Sequence, residues 1–201
     1  MPGPVPVVPG TAATRITFPL THGGVERTIT VSAVTGAGVP VAQVQTHCLD
    51  EPPLPATDRR VPIASCRTDS SYSGYLPEVL IDGVVKIADL HWTKRAWASK
   101  DDASAHWVQL DFAKSQPVAG VMVYWNREVG RAYAASDYRV VLLTETGQQV
   151  VKTVAEPRAR TMDRHEWKPI QAKAIRIEQS PRGGAAHRPG IMWVREVQVL
   201  R

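Results

Sequence analysis

No run of apolar residues in this chain approaches the ~18–20 needed to cross a bilayer as a helix, so no membrane span is expected. Nor does any long stretch carry an apolar stripe at helical spacing, which argues against a helical bundle. Cysteine is nearly absent, at two residues in 201, too few for a scaffold held by disulfides. Cys48 and Cys66 stand on either side of a proline-rich link. They read as free thiols, and a single disulfide tying an arm to a domain, worth about 3 kcal/mol, is the alternative. Lysine and arginine exceed the carboxylates by 24 to 19, a net +5, but they are dispersed and no basic stripe alternates with aromatics. That excludes nucleic acid as the expected partner and leaves a solvated basic surface. Chemistry is missing in the same way. There is no serine elbow, no zinc spacing and no phosphate-cradling loop, and His165-Glu166 lacks the second histidine of a zincin. No enzymatic activity is expected.

What the chain does contain is short strands. Residues 1–13, with Pro2, Pro4, Pro6 and Pro9, read as an extended leader. Residues 14–50 read as a β arm, or a fragment of a preceding β domain. Within it, residues 15–20 and 25–31 form a hairpin around Thr21-His-Gly-Gly24, with a third strand at 39–44. Residues 51–60, rich in proline, are a linker. From residue 61 to 201 strand candidates recur at 106–112, 118–125, 138–144, 149–154, 164–169, 174–179 and 192–200, separated by turn signals such as Gln116-Pro117 and Gly183-Gly184. Several alternate with period two. In His106-Trp-Val-Gln-Leu-Asp-Phe112 one face carries His106, Val108, Leu110 and Phe112, and the other Trp107, Gln109 and Asp111. The pattern predicts an all-β jelly-roll sandwich of about eight strands, with an N-terminal β-hairpin arm. Trp97 and Trp107 are expected to plug the sandwich rather than to meet a ligand.

Sugar recognition needs an aromatic face and side chains able to pair with vicinal hydroxyls. Asn126-Arg-Glu-Val-Gly-Arg-Ala-Tyr133 offers both directly after a strand, which makes Asn126, Arg127, Arg131 and Tyr133 candidate binding residues. The long loop 180–188 adds Arg182 and His187, with Arg188 beside them. Residues 73–75 and 91–95 are candidates for a rim.

Several motifs in order resemble the discoidin, or coagulation factor five/eight type C, domain family. They are Ser70-Ser-Tyr-Ser-Gly-Tyr75, Leu80-Ile-Asp-Gly83, Ala96-Trp-Ala-Ser99, His106-Trp-Val-Gln-Leu-Asp-Phe112, Val121-Met-Val-Tyr-Trp125, Tyr138-Arg-Val140, Ala174-Ile-Arg-Ile177 and Trp193-Val-Arg-Glu-Val-Gln-Val199. The resemblance spans residues 61–201. It implies a galactose-binding-like jelly roll with ligands at loops on one end, and a 126–133 loop like that from which family members present Arg and Asn. It also implies a structural calcium held near Asp82-Gly83 and Glu196. Val84, Val85, Lys86 and Ile87 follow where polar ligands would be needed, and calcium takes six to eight oxygens. No metal or cofactor is therefore expected, and Lys86 is a candidate to pair with a carboxylate instead.

The resulting expectation is a non-catalytic, carbohydrate-binding module of a larger exported glycan-active enzyme or surface protein. No signal peptide is expected at the start of this sequence, which has no basic region and is broken by prolines. The alternative is a structural component of an assembly such as a virion or surface layer. On that reading residues 1–60 contact a neighbouring domain or subunit. A helper domain that stabilises a catalytic partner without binding anything is the third.

Overall fold

Strand-forming patterns from residue 61 onward become one antiparallel sheet in the computed structural model, which describes residues 26–34, 40–49, 55–85, 94–128 and 131–201. The leader, the strand expected at 15–20 and its turn lie outside those residues. In the arm, β1 (Glu26–Val34) and β2 (Pro40–Leu49) pair antiparallel with Glu26 opposite Leu49 and Ala33 opposite Ala42. β1 covers the stretch read as the second arm, and the expected third strand is its partner β2. Among the described residues these two strands form a sheet of their own.

The main sheet has seven strands: β3 (Ser65–Thr68), β4 (Trp97–Ala98), β5 (His106–Trp125), β8 (Asp137–Thr144), β9 (Gly147–Ala155), β10 (Met162–Gln179) and β11 (Trp193–Leu200). Its order is β4-β11-β5-β10-β8-β9, with β3 also on β5. β6 (Arg127–Glu128) and β7 (Arg131–Ala132) make a small separate ribbon. The expected all-β jelly roll is found.

Two boundaries differ from expectation. Residues 106–112 and 118–125 are a single strand, β5, and 164–169 and 174–179 are both in β10. The turn signal Gln116-Pro117, and Pro169 at the end of the other expected strand, bend these strands without ending them. A proline lacks the N–H a ladder needs, so the β5–β10 register shifts between Glu166 and Ile170, and again between Ala172 and Ala174. Before the bend β5 pairs with β3 and with the end of β10; beyond it, with β11 and the start of β10. Val108, Leu110 and Phe112 from the first half and Val121, Val123 and Trp125 from the second meet in one core cluster. The sheet thus folds over its own core, each such side chain stabilising by about 1.5–3 kcal/mol when fully buried.

The alternation of the last strand predicts one solvated face, yet all of Trp193–Leu200 is buried. A register shift between Val194 and Glu196 on β5 resets the pattern. Val194, Val197 and Val199 therefore face the main core, while Leu200 joins Met122 and Tyr124 in a second cluster on the other side. Arg195 and Glu196 are buried with them.

A buried polar group locks the turn before β10. Arg160 Nε donates to Asp163 Oδ1 at 2.6 Å, and Trp125 Nε1 (2.8 Å) and the Tyr138 hydroxyl (2.7 Å) donate to Oδ2. Arg160 Nη2 also donates to the Ala135 carbonyl at 2.7 Å. Burial would raise the Asp163 pKa, but Arg160 and the other donors outweigh it and hold the carboxyl below its usual range. Cys66 is a free thiol packed against the core, its pKa pushed up to about 12, chiefly by burial. Among the described residues no helix is long and apolar enough to cross a membrane.

Candidate ligand site at the loop end of the sandwich

Where β5 ends and β11 begins, Val194 lies opposite Trp125 and the Asn126 N–H donates to the Trp193 carbonyl at 3.0 Å. The β6–β7 ribbon leaves from this point and returns with the Tyr133 N–H donating to the Asn126 carbonyl at 2.8 Å. Asn126 is buried, and its main chain anchors both ends of the excursion. The ribbon delivers Tyr133 onto Trp193, ring centroids 4.5 Å apart, and against His187 at 4.7 Å. Tyr75 meets Trp193 edge-on at 5.8 Å, and Tyr72 meets Tyr75 at 6.2 Å. Trp193 and Tyr133 are buried, whereas Tyr72 is 46% exposed, so the cluster runs from a floor to an open wall.

Cations rim it. The Arg188 guanidinium lies 5.6 Å over the Trp193 ring while its Nε donates to Asp101 Oδ2 at 2.7 Å. Arg131 is exposed on β7 opposite Glu128. Burial, then the charges of Arg131 and Arg188, lower the His187 pKa, leaving at neutral pH an imidazole with one donor and one acceptor nitrogen.

The loop 180–192 that carries His187 and Arg188 is fixed by its own backbone. Ser136 Oγ donates to the Gly184 carbonyl at 2.8 Å, and the Gly184 N–H to Pro189 O at 2.9 Å. A Cβ on Gly190 would stand 2.7 Å from both the Asp101 carboxylate and the Asp102 carbonyl, closer than real Cβ contacts.

Of the residues expected at the site, the fold gathers Arg131, Tyr133 and His187, with Asn126 beneath them and Arg127 half-buried on the same ribbon. Tyr75 of the expected rim joins them. Residues 91–93 lie outside those described, and Lys94 lines another pocket with Leu76, Glu78 and Asp82. Arg182, at φ 58°, lines a different pocket with Asp101, Asp102 and Gly190. Sequence reasoning missed Trp193 and Tyr72. By alternation Trp193 is only part of a closing strand, and the signal for it is its place at that strand's first residue. Trp97 is fully buried, its indole N–H bonded to Ser71 Oγ at 2.9 Å. Trp107 lies on the outer face under Arg176, 4.8 Å from ring centroid to guanidinium carbon.

Asp82 and Glu196 do come together. The Gly83 N–H donates to Glu196 Oε2 at 3.0 Å and the Gln198 amide to Oε1, while Asp82 Oδ1 accepts the Val84 N–H at 2.7 Å. Burial first, then the Asp82 charge, pushes the Glu196 pKa up to about 8. The Val85 carbonyl accepts from Arg195 Nη1 at 3.0 Å, bringing a cation to the same loop. A calcium ion needs six to eight free oxygens; among the described residues both Glu196 oxygens, Asp82 Oδ1 and the Val85 carbonyl already face donors. Lys86, expected to pair with a carboxylate in place of the ion, lies outside the described residues.

The F5/8 type C domain family matches residues 64–191 of the chain. No curated protein matches it. Similar solved structures include chitosan-binding module 1 of a chitosanase/glucanase from Paenibacillus sp. IK-5, at 19% identity and TM-score 0.55, covering 68% of this chain and 94% of that one. The family 32 CBM of C. perfringens NanJ in complex with galactose is 16% identical at TM-score 0.56, covering 68% and 93%. The lectin domain of lectinolysin complexed with Lewis B antigen is 20% identical at TM-score 0.55, covering 68% and 92%. At these identities the likeness is one of fold.

Proposed function

Since the chain belongs to the F5/8 type C domain family, we propose that it is a non-catalytic carbohydrate-binding module whose ligand rests on the loops around Tyr133 and Trp193. The carrying observation is the juxtaposition of an aromatic group, Tyr72, Tyr75, Tyr133 and Trp193, with the polar rim of Arg131, His187 and Arg188. An aromatic face takes the apolar side of a sugar ring, a guanidinium pairs with two vicinal hydroxyls, and a neutral imidazole both donates and accepts. Neighbours of the same fold hold galactose and Lewis B antigen, which makes galactose-containing glycans the first ligands to try. The parent is an exported glycan-active enzyme or surface protein, and residues 1–60 lead to its neighbouring domain.

Titration calorimetry with galactosides, after a glycan array, tests this. Arg131→Ala removes a charge-assisted hydrogen bond worth about 1.5–3 kcal/mol and weakens binding roughly 10- to 100-fold; Arg127→Ala, on the same ribbon, weakens it less. Unchanged affinity in both variants overturns the site. A loss at Arg182→Ala equal to that at Arg131→Ala moves it to the pocket beside Asp101.

A second reading rests on the arm. β1 and β2 pair only with each other among the described residues, and a lone two-stranded hairpin is marginal in water. In a structural assembly, such as a virion or surface layer, the arm would pack on a neighbouring subunit. A concentration-dependent rise in mass by light scattering, lost when residues 1–54 are removed, favours assembly.

A further inference from the structure

His106 opens β5 on its inner face, with a side chain only 1% exposed. Its ring bridges two loops. Nδ1 lies 2.8 Å from Asp69 Oδ2, and Nε2 lies 3.0 Å from the Gly190 carbonyl oxygen. Asp69 leads directly into the segment carrying Tyr72 and Tyr75; Gly190 links His187 and Arg188 to Trp193. The histidine therefore ties together both walls of the aromatic cluster from behind.

Both of its partners are acceptors. A carbonyl oxygen cannot donate. Asp69 already accepts the Trp107 N–H at 2.8 Å and the Ser70 hydroxyl at 2.7 Å, and hydrogen bonds from His106, Trp107 and Ser70, with the His106 charge, outweigh burial and keep it ionised. A neutral imidazole has one N–H, so it would leave a nitrogen lone pair against an oxygen lone pair. Only the imidazolium fills both positions. The charged groups facing it are Asp69 after β3 and, from the loop before β5, Asp102, 3.6 Å from Nε2, with Lys100 acting on Asp102.

We propose that His106 is a positioning residue whose doubly donating ring holds the two loop walls together, so that the site is assembled when the ring is charged and loosens when it loses its proton. The binding half of this rests on the carbohydrate-site reading; the tether itself does not. Burial alone would lower the imidazole pKa, but Asp69, the Gly190 carbonyl and Asp102 outweigh it and raise it above 6.5. A raised folded-state pKa puts the tether fully in place below 6.5 and removes it as pH climbs through the raised value.

The test follows the full chain by NMR from about pH 5 to 9, the range histidine can report. It reads the His106 ring nitrogens and the Trp193 indole N–H, assigned with Trp193→Phe, and in parallel the affinity for whichever galactoside binds. The Trp193 resonance is expected to move with the midpoint of His106, and affinity to fall over the same interval. Asp69→Asn, which keeps a side chain of the same size, shifts both midpoints down by about one to three pH units, and His106→Gln leaves the Trp193 resonance flat. A Trp193 resonance indifferent to pH in the unmodified chain, or one whose midpoint ignores Asp69→Asn, overturns the tether. If no glycan binds at any pH while the Trp193 titration behaves as stated, the carbohydrate reading falls and the tether stands.

Discussion

Trp193 and Tyr133 lie 4.5 Å apart, ring to ring and tilted by 59°, although one opens the last strand and the other ends a loop that leaves β5. Each is buried, and each reaches a further aromatic, Tyr75 from Trp193 and His187 from Tyr133. The candidate site is therefore not a property of one loop. It exists because the pairing of β11 with β5 brings the start of one strand against the end of the other.

That arrangement separates two roles for Trp193. Its indole N–H is buried and finds no acceptor among the described residues, so Trp193→Phe removes ring contact without breaking a hydrogen bond. It should cost about 1–2 kcal/mol, against about 3–5 kcal/mol for Trp193→Ala. Urea unfolding gives both numbers. A phenylalanine variant as unstable as the alanine one would mean that the N–H has a partner after all.

The contrast between strands and site shows what a linear reading can reach. Alternation identified the strand stretches from 106 onward because side-chain period in a sheet is local. It could not see that Pro117 and Pro169 bend β5 and β10 instead of ending them, since whether a missing N–H stops a strand depends on the partner across from it. For the same reason the bulge at Val194–Glu196 hid the burial of Arg195. The 126–133 and 180–188 loops were legible by composition. The links between them were not: Trp193 against Tyr133, and His106 between Asp69 and Gly190, join residues far apart in the chain, and only strand order makes them neighbours.

The Arg160–Asp163 pair anchors the turn before β10 to Ala135, just after Tyr133. Both side chains are nearly or fully buried, and removing one member leaves the other charge without compensation. Arg160→Ala is expected to cost about 3–5 kcal/mol. Because the folded-state pKa of Asp163 is depressed, its contribution is present above the ordinary carboxylate value and is lost as pH falls through the lower one. Acid unfolding followed by far-ultraviolet circular dichroism should thus be shallower in Asp163→Asn than in the unmodified chain. Equal acid slopes would show that the pair is not ionised in the fold.

Glu196 gives the opposite slope. Its pKa is raised from 4.5 to about 8, so the folded chain holds a proton that the unfolded chain has released across that interval. Stability falls as pH rises from 4.5 towards 8, on the order of 1.4 kcal/mol for each pH unit crossed. Glu196→Gln keeps the size and the Gly83 N–H contact but cannot ionise. It should match the unmodified chain near pH 4.5 and exceed it in melting temperature near pH 9. Calcium gives the decisive control. Because the Glu196 oxygens already face Gly83 and Gln198, and the Val85 carbonyl faces Arg195, neither millimolar calcium nor a chelator should move the melting temperature at pH 7. A calcium-dependent rise that disappears in Glu196→Gln would mean that the ion displaces the proton and that the loop after Asp82 reorganises to hold it.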